Sequence, residues 1–214
     1  MIPVTDAANV APGGLGPDPG PSYVSRGGLK LRHALDAFGI EPAGMVCADL
    51  GASTGGFTDC LLQAGAAHVH AVDTAYGELA WKLRNEPRVT VIERMNALHV
   101  APPEGGVDLV VADLGWTPQR LLIPAALRWL RPGGRIVSLV KPHYELKDRG
   151  RKLPKGGVMD AADAEAITRR VVEDLPAFGV AVRGLVKSPI LGGAKAKGNA
   201  EWLVWVEPVP GGPA

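Results

Sequence analysis

Two lysines and two carboxylates stand beside apolar runs, where charged side chains are least expected. Lys141 follows a strand-like run and precedes a proline (SLVKPHYE). Asp113 closes a second run (VVADLG), Glu201 opens a third (GNAEWLVW), and Lys30 lies in the early segment YVSRGGLKL. A lysine at the end of an apolar strand is half-buried, and burial and a nearby second cation both favour the neutral amine, which can accept a proton. Carboxylates beside such amines orient them and balance charge. Together the four could hold one amine ready to accept a proton. Taken singly, each fits an ordinary ion pair at a sheet edge.

A second group of residues suits a nucleotide-like ligand. The segment DLGASTGGFTD runs from Asp49 to Asp59, with glycines at 51, 55 and 56. Glycines there let the backbone turn sharply and approach a ligand, and the following helix offers unpaired N–H groups. A dinucleotide fingerprint would need glycine where Ser53 stands. The spacing D-x-G-x-x-x-G suits S-adenosylmethionine (SAM) better, since that molecule has no pyrophosphate to cradle. Asp49, Gly51, Ser53, Thr54, Gly55, Gly56 and Phe57 are the candidate contacts of this turn. Asp73, 22 residues after Gly51, ends the next apolar run, where an acidic residue takes ribose hydroxyls in such folds. Asn96, after the third run, is a candidate for the adenine edge.

These residues need a scaffold that brings strand ends together. Apolar runs at residues 45–51, 68–73, 89–93, 107–115, 135–141, 180–186 and 201–207 read as strands. Helical patterns at 27–38, 55–64, 77–84, 119–130 and 163–175 alternate with them, and Gly133-Gly134 reads as the stop of the fourth helix. The expected fold is α/β, Rossmann-like: a mostly parallel seven-stranded sheet, helices on both faces, and one antiparallel strand among the last two, which lack a helix between them. Ligands bind such sheets at the carboxyl ends of their strands, where the polar residues above lie. Residues 1–22 read as a disordered Pro/Gly-rich leader, 23–208 as the single domain, and 209–214 as a flexible tail.

Hydrophobic residues make up 46% of the 214-residue chain and charged residues 21%, an ordinary globular composition. The net charge of +1 excludes a generally basic protein, so any nucleic-acid contact must be local. One segment is local in that sense. Residues 141–157 (KPHYELKDRGRKLPKGG) carry six basic and two acidic residues. Lys147, Arg149, Arg151, Lys152 and Lys155 are candidate phosphate contacts, with Arg26 from the early segment, and Tyr144 could stack on a base. The five histidines show no metal spacing, and no metal is expected. Cys47 and Cys60 suggest no disulfide framework, no run is long enough to span a membrane, and no signal peptide is visible; the expected location is the cytoplasm.

The segments YVSRGGLKL, DLGASTGGFTD, AVDTAYGELAWKLR, LVKPHYE and KGNAEWLVW, in that order, resemble the FtsJ-like RNA 2′-O-methyltransferases, and most closely their TlyA (hemolysin A-like) branch. The resemblance spans about residues 23–206. It implies SAM as methyl donor and a ribose 2′-hydroxyl of RNA, expected to be ribosomal RNA or a ribosomal subunit, as acceptor. It also implies a Lys-Asp-Lys-Glu tetrad, which falls by motif on Lys30, Asp113, Lys141 and Glu201. Two features depart from the branch: only the short leader is expected where the S4-type RNA-binding domain usually comes first, and GWTPQR follows Asp113 where an apolar-aromatic run is usual. Alternative readings are methylation of a small molecule or protein, a hemolysin-like protein, or an RNA-binding factor without catalysis.

Overall fold

The computed structural model describes residues 22–148, 150, 152, 157–192 and 198–209. The expected leader and tail lie almost entirely outside them. Seven strands form one sheet: β1 (Val46–Leu50), β2 (His68–Val72), β3 (Val89–Ile92), β4 (Val107–Ala112), β5 (Leu130–Val140), β6 (Val180–Lys187) and β7 (Trp202–Pro208), in the order β3-β2-β1-β4-β5-β7-β6. Only β7 is antiparallel, to β5 on one side and β6 on the other. This is the Rossmann-like arrangement expected from the alternating pattern.

The central strands are mostly apolar because both their faces are covered. Successive residues alternate between two cores. Val110 and Ile136 face one core, with α4 (Gln119–Leu127) and α6 (Ala161–Asp174). Leu109 and Val137 face the other, with α1 (Gly27–Phe38) and α2 (Gly56–Gln63). Asp160 caps α6, accepting the Ala162 N–H at 2.8 Å. No helix among the described residues is long and apolar enough to cross a membrane.

Three expectations about elements need correction. The fourth helix ends at Leu127, and Gly133-Gly134 belong to β5. They sit where the β4–β5 register shifts between Val107 and Leu109, and Gly133 takes a left-handed φ of 82° there. The third helix, α3, is only Trp81–Arg84. Part of the expected basic loop is the helix α5 (Pro142–Asp148). Its proline sits at the start, where a missing N–H costs nothing because the first-turn donors have no helical partner anyway.

The segment before α1 is seated on the start of α2. The Val24 N–H donates to the buried Asp59 carboxylate at 2.8 Å, and Lys82 pairs with the same carboxylate at 2.9 Å. Gly56 allows this approach: a Cβ there would lie 2.2 Å from Ser25 Oγ and 2.8 Å from the Gly28 backbone nitrogen. Gly56→Ala should therefore push α1 off α2 and destabilise the protein by ~1–3 kcal/mol, the usual range for overpacking. A urea titration reads this as a lower midpoint; an unchanged midpoint would mean that the packing relaxes freely.

Candidate active site

The tetrad residues form two ion pairs. The Lys30 ammonium meets Glu201 Oε2 at 2.5 Å, both side chains nearly buried. Lys141 pairs with Asp113 and also donates to the Leu114 carbonyl at 3.4 Å. Topology explains the meeting. Trp202 is registered opposite Val140, so in this antiparallel pair Glu201 lies level with Lys141. Asp113 follows β4, the parallel neighbour of β5. Lys30 comes from the buried face of α1.

One member of each pair reaches a cavity of about 450 Å³. Lys30 and Asp113 line it together with Arg26, Gly51, Ser53, Thr54, Gly56 and Phe57. The glycine turn and the segment carrying Asp113 are in direct contact: Gly51, at φ 93°, has no room for a Cβ, which would fall 2.7 Å from the Asp113 carbonyl oxygen. Ser53, also left-handed at φ 48°, donates its N–H to Asp73 at 2.7 Å. Asp73 accepts the Ala75 N–H as well, at 2.8 Å, and lines a smaller cleft beside Ser53, Glu78 and Leu79.

Not every candidate reaches the cavity. Asp49 is fully buried and accepts the Thr58 hydroxyl at 2.6 Å. Gly55 faces Leu79 and Leu83, which leave no room for a Cβ. Asn96 closes its own turn, accepting the Leu98 N–H at 2.9 Å, and lies along none of the clefts described. Tyr144 stacks on Trp116, with ring centroids 4.5 Å apart, and Lys141 lies 5.5 Å from its ring centre. Lys152 is exposed. The side chain of Lys147, and Arg149, Arg151 and Lys155, lie outside the described residues.

Other features were not anticipated. Trp116 is 67% exposed and holds a left-handed φ of 56°. His143 abuts Tyr144, and burial together with the Lys141 charge pushes it down to about 4, so it is uncharged at neutral pH. Ser138, Gln119 and Glu145 form a buried polar network behind Lys141. The one sequence sign of this network is a serine inside the otherwise apolar fifth strand. No group of three or more potential metal ligands occurs among the described residues.

Residues 23–207, the whole patterned chain, match the model of the FtsJ-like methyltransferases. The chain belongs to that family. It is 45% identical over 191 residues to the 16S/23S rRNA (cytidine-2′-O)-methyltransferase TlyA of Mycobacterium tuberculosis, covering 86% of this chain and 68% of the relative. It is 37% identical to Hemolysin A of Brachyspira hyodysenteriae, over 85% of this chain and 75% of that one. A solved structure from Streptococcus thermophilus, provisionally labelled a hemolysin, superposes with a TM-score of 0.80 at 38% identity, covering 89% of this chain and 70% of that one. In this FtsJ-like methyltransferase the glycine turn after β1 thus shares one cavity with Asp113 after β4, the partner of Lys141 after β5.

The buried Asp49 carries a pH signature. Desolvation, offset in part by the Thr58 hydrogen bond, raises its carboxyl from 3.8 to about 7. A group raised in the folded state contributes stability that is complete below the unfolded value and lost as pH rises through the folded one. Asp49→Asn should therefore leave stability unchanged near pH 4 and raise it above pH 7. Urea midpoints measured across that window for both proteins check this, and parallel curves would refute it.

Proposed function

We propose that this protein transfers a methyl group from SAM to a ribose 2′-hydroxyl of ribosomal RNA, free or within a ribosomal subunit, in the cytoplasm. The observation that carries the reading is that Asp113, paired with Lys141, and Lys30, paired with Glu201, line the same cavity as the glycine turn. The substrate class follows the name of the Mycobacterium tuberculosis relative, a cytidine-2′-O-methyltransferase.

The residues fit the cofactor. The cavity falls within the ~300–1,000 Å³ of small-molecule sites. Gly51, Ser53, Thr54, Gly56 and Phe57 would hold the cofactor, with Asp73 on the ribose hydroxyls beside them; Asp49 and Gly55 shape the turn from behind. Asn96, its Oδ1 already accepting from Leu98, would offer its amide N–H to the adenine edge. When bound, SAM supplies a methyl group already activated by its sulfonium, so the protein has to align and deprotonate the acceptor.

Lys141 first gives up to solvent the proton that it holds in the pair with Asp113, and the neutral amine then accepts the hydroxyl proton. Asp113, in contact with it, stabilises the ammonium that results. Lys30 lines the same cavity, and Glu201, paired with it, balances its charge. Arg26 and the basic stretch of Lys147, Arg149, Arg151, Lys152 and Lys155 would hold phosphates. The Trp116–Tyr144 stack, beside Lys141 and partly open to solvent, offers an aromatic face to an unstacked base.

Lys141→Ala should lower transfer by about 10²- to 10⁴-fold, the usual contribution of a general base, while sparing SAM binding. Lys141→Arg should fail nearly as badly, since a guanidinium stays protonated. Single-turnover transfer of labelled methyl to total RNA reads both; near-normal activity of the arginine variant would make Lys141 a holder of charge instead.

Asp73→Ala should weaken SAM binding by roughly 10- to 100-fold, as expected when hydrogen bonds to a charged group are removed. Calorimetry checks this, and unchanged affinity would remove Asp73 from the site.

Neutralising four of the five basic residues from Lys147 to Lys155 should flatten the slope of log RNA affinity against log salt, by about 0.7–0.9 for each phosphate that is no longer bound. An unaltered slope would mean that this stretch binds no phosphate.

A further inference from the structure

Gln119 is 2% exposed, begins α4, and uses its backbone and side chain to reach three points around Lys141. Its N–H donates to Glu145 Oε1 at 2.8 Å. Its side-chain amide donates to the Leu139 carbonyl at 3.1 Å, and its Oε1 accepts the Ser138 hydroxyl at 2.9 Å. Ser138 and Glu145 are also buried. Ser138 and Leu139 precede Lys141 in β5, and Glu145 follows it in α5. The residue before Gln119 is Pro118, which has no side-chain cap to offer, so the Glu145 carboxylate takes over the capping of an orphan donor of α4.

Gln119 also ends the loop that begins at Asp113. That loop holds the left-handed Trp116, a conformation that costs a non-glycine residue about 1 kcal/mol or more and persists only where its surroundings hold it. The two chain segments that carry Asp113 and Lys141 are thus joined at Gln119 by three buried hydrogen bonds, apart from the ion pair itself.

We infer that Gln119 is a positioning residue for methyl transfer: with Ser138 and Glu145 it fixes the loop carrying Asp113 against the segment carrying Lys141, and so sets the alignment of that pair. The inference rests on the reading of Lys141 as the proton acceptor. Gln119 touches neither substrate nor cofactor in this role. Its removal acts through Lys141 and Asp113, and leaves the glycine turn and the Lys30–Glu201 pair as they are.

Gln119→Met keeps the length of the side chain and removes both of its hydrogen bonds. Ser138→Ala removes only the hydroxyl donated to Gln119 and serves if the first variant folds poorly. With saturating SAM and RNA, the single-turnover rate should fall by about 10- to 100-fold in Gln119→Met, as for a misplacement near 1 Å, and by less in Ser138→Ala. SAM affinity and the RNA concentration for half-maximal rate should stay as in the wild type.

A second readout is independent of activity. In protein labelled with ¹⁵N-lysine, the Nζ signal of Lys141 should move in both variants while that of Lys30 stays in place. A rate within twofold of wild type in both variants, or lysine signals that move together as in a general loosening of the fold, would overturn the inference. The wild-type control separates the two readings. Wild type that methylates no ribose 2′-hydroxyl overturns the proposed function, whereas active wild type with unaffected variants overturns only the role of Gln119.

Discussion

Charges held at the ends of buried strands persist only as pairs. Removing one partner of a buried pair leaves the other uncompensated, typically at about 3–5 kcal/mol. Lys30 and Glu201 are 171 residues apart, and both are buried. Their contact requires that α1 be seated against the start of β7. The antiparallel insertion of β7 between β5 and β6 meets this requirement. A parallel strand in that place would carry Glu201 to the amino edge of the sheet, away from Lys141. The one antiparallel strand is therefore what makes a four-residue charge cluster possible on an otherwise parallel scaffold.

Backbone contacts hold the same site from the other side. Gly56 admits Ser25 and Gly28, which seats the segment leading to Lys30 on the first turn of α2. Gly51 admits the carbonyl of Asp113. The glycine turn thus touches both halves of the charge cluster through main chain, where no side-chain rotation can absorb a displacement. All three of its glycines have a packing role, Gly55 making room for Leu79 and Leu83, and at Gly51 and Gly55 a left-handed backbone is added to it.

The parts legible in the sequence were those with a strong contrast between neighbours. Asp113, Lys141 and Glu201 stood out because a charge interrupts an apolar run, and the structure brings all three to one edge with Lys30. The sheet was legible because doubly covered strands are apolar without alternation. Where the local pattern allowed two readings, tertiary contacts decided. Gly133-Gly134 have the composition of a helix stop, yet they serve a register shift in β5. Pro142 followed by charged residues has the composition of a loop, yet it opens α5, whose acids are engaged: Asp148 pairs with Arg120 and Glu145 accepts from Gln119. Asn96 satisfies a donor of its own turn. The role of Gln119 had no sequence sign, because its partners come from β5 and α5 and a glutamine at a helix start is ordinary.

The loop after Asp113 is tied to the segment around Lys141 by contacts of two kinds, and they differ in how easily they yield. The outer one is the Trp116–Tyr144 stack, open to solvent on the tryptophan side. Aromatic pairs of this kind contribute about 0.5–1.5 kcal/mol beyond their buried area. The inner one is the set of hydrogen bonds at Gln119, closed to water. Opening it would leave several buried polar groups without partners, at about 1–3 kcal/mol for each. A load on the loop is therefore taken up first at the aromatic stack, with the Asp113–Lys141 contact still held from behind. An aromatic ring that could exchange one flat partner for another, next to a charge pair that cannot drift, would give the proposed transfer an adaptable rim around a fixed centre.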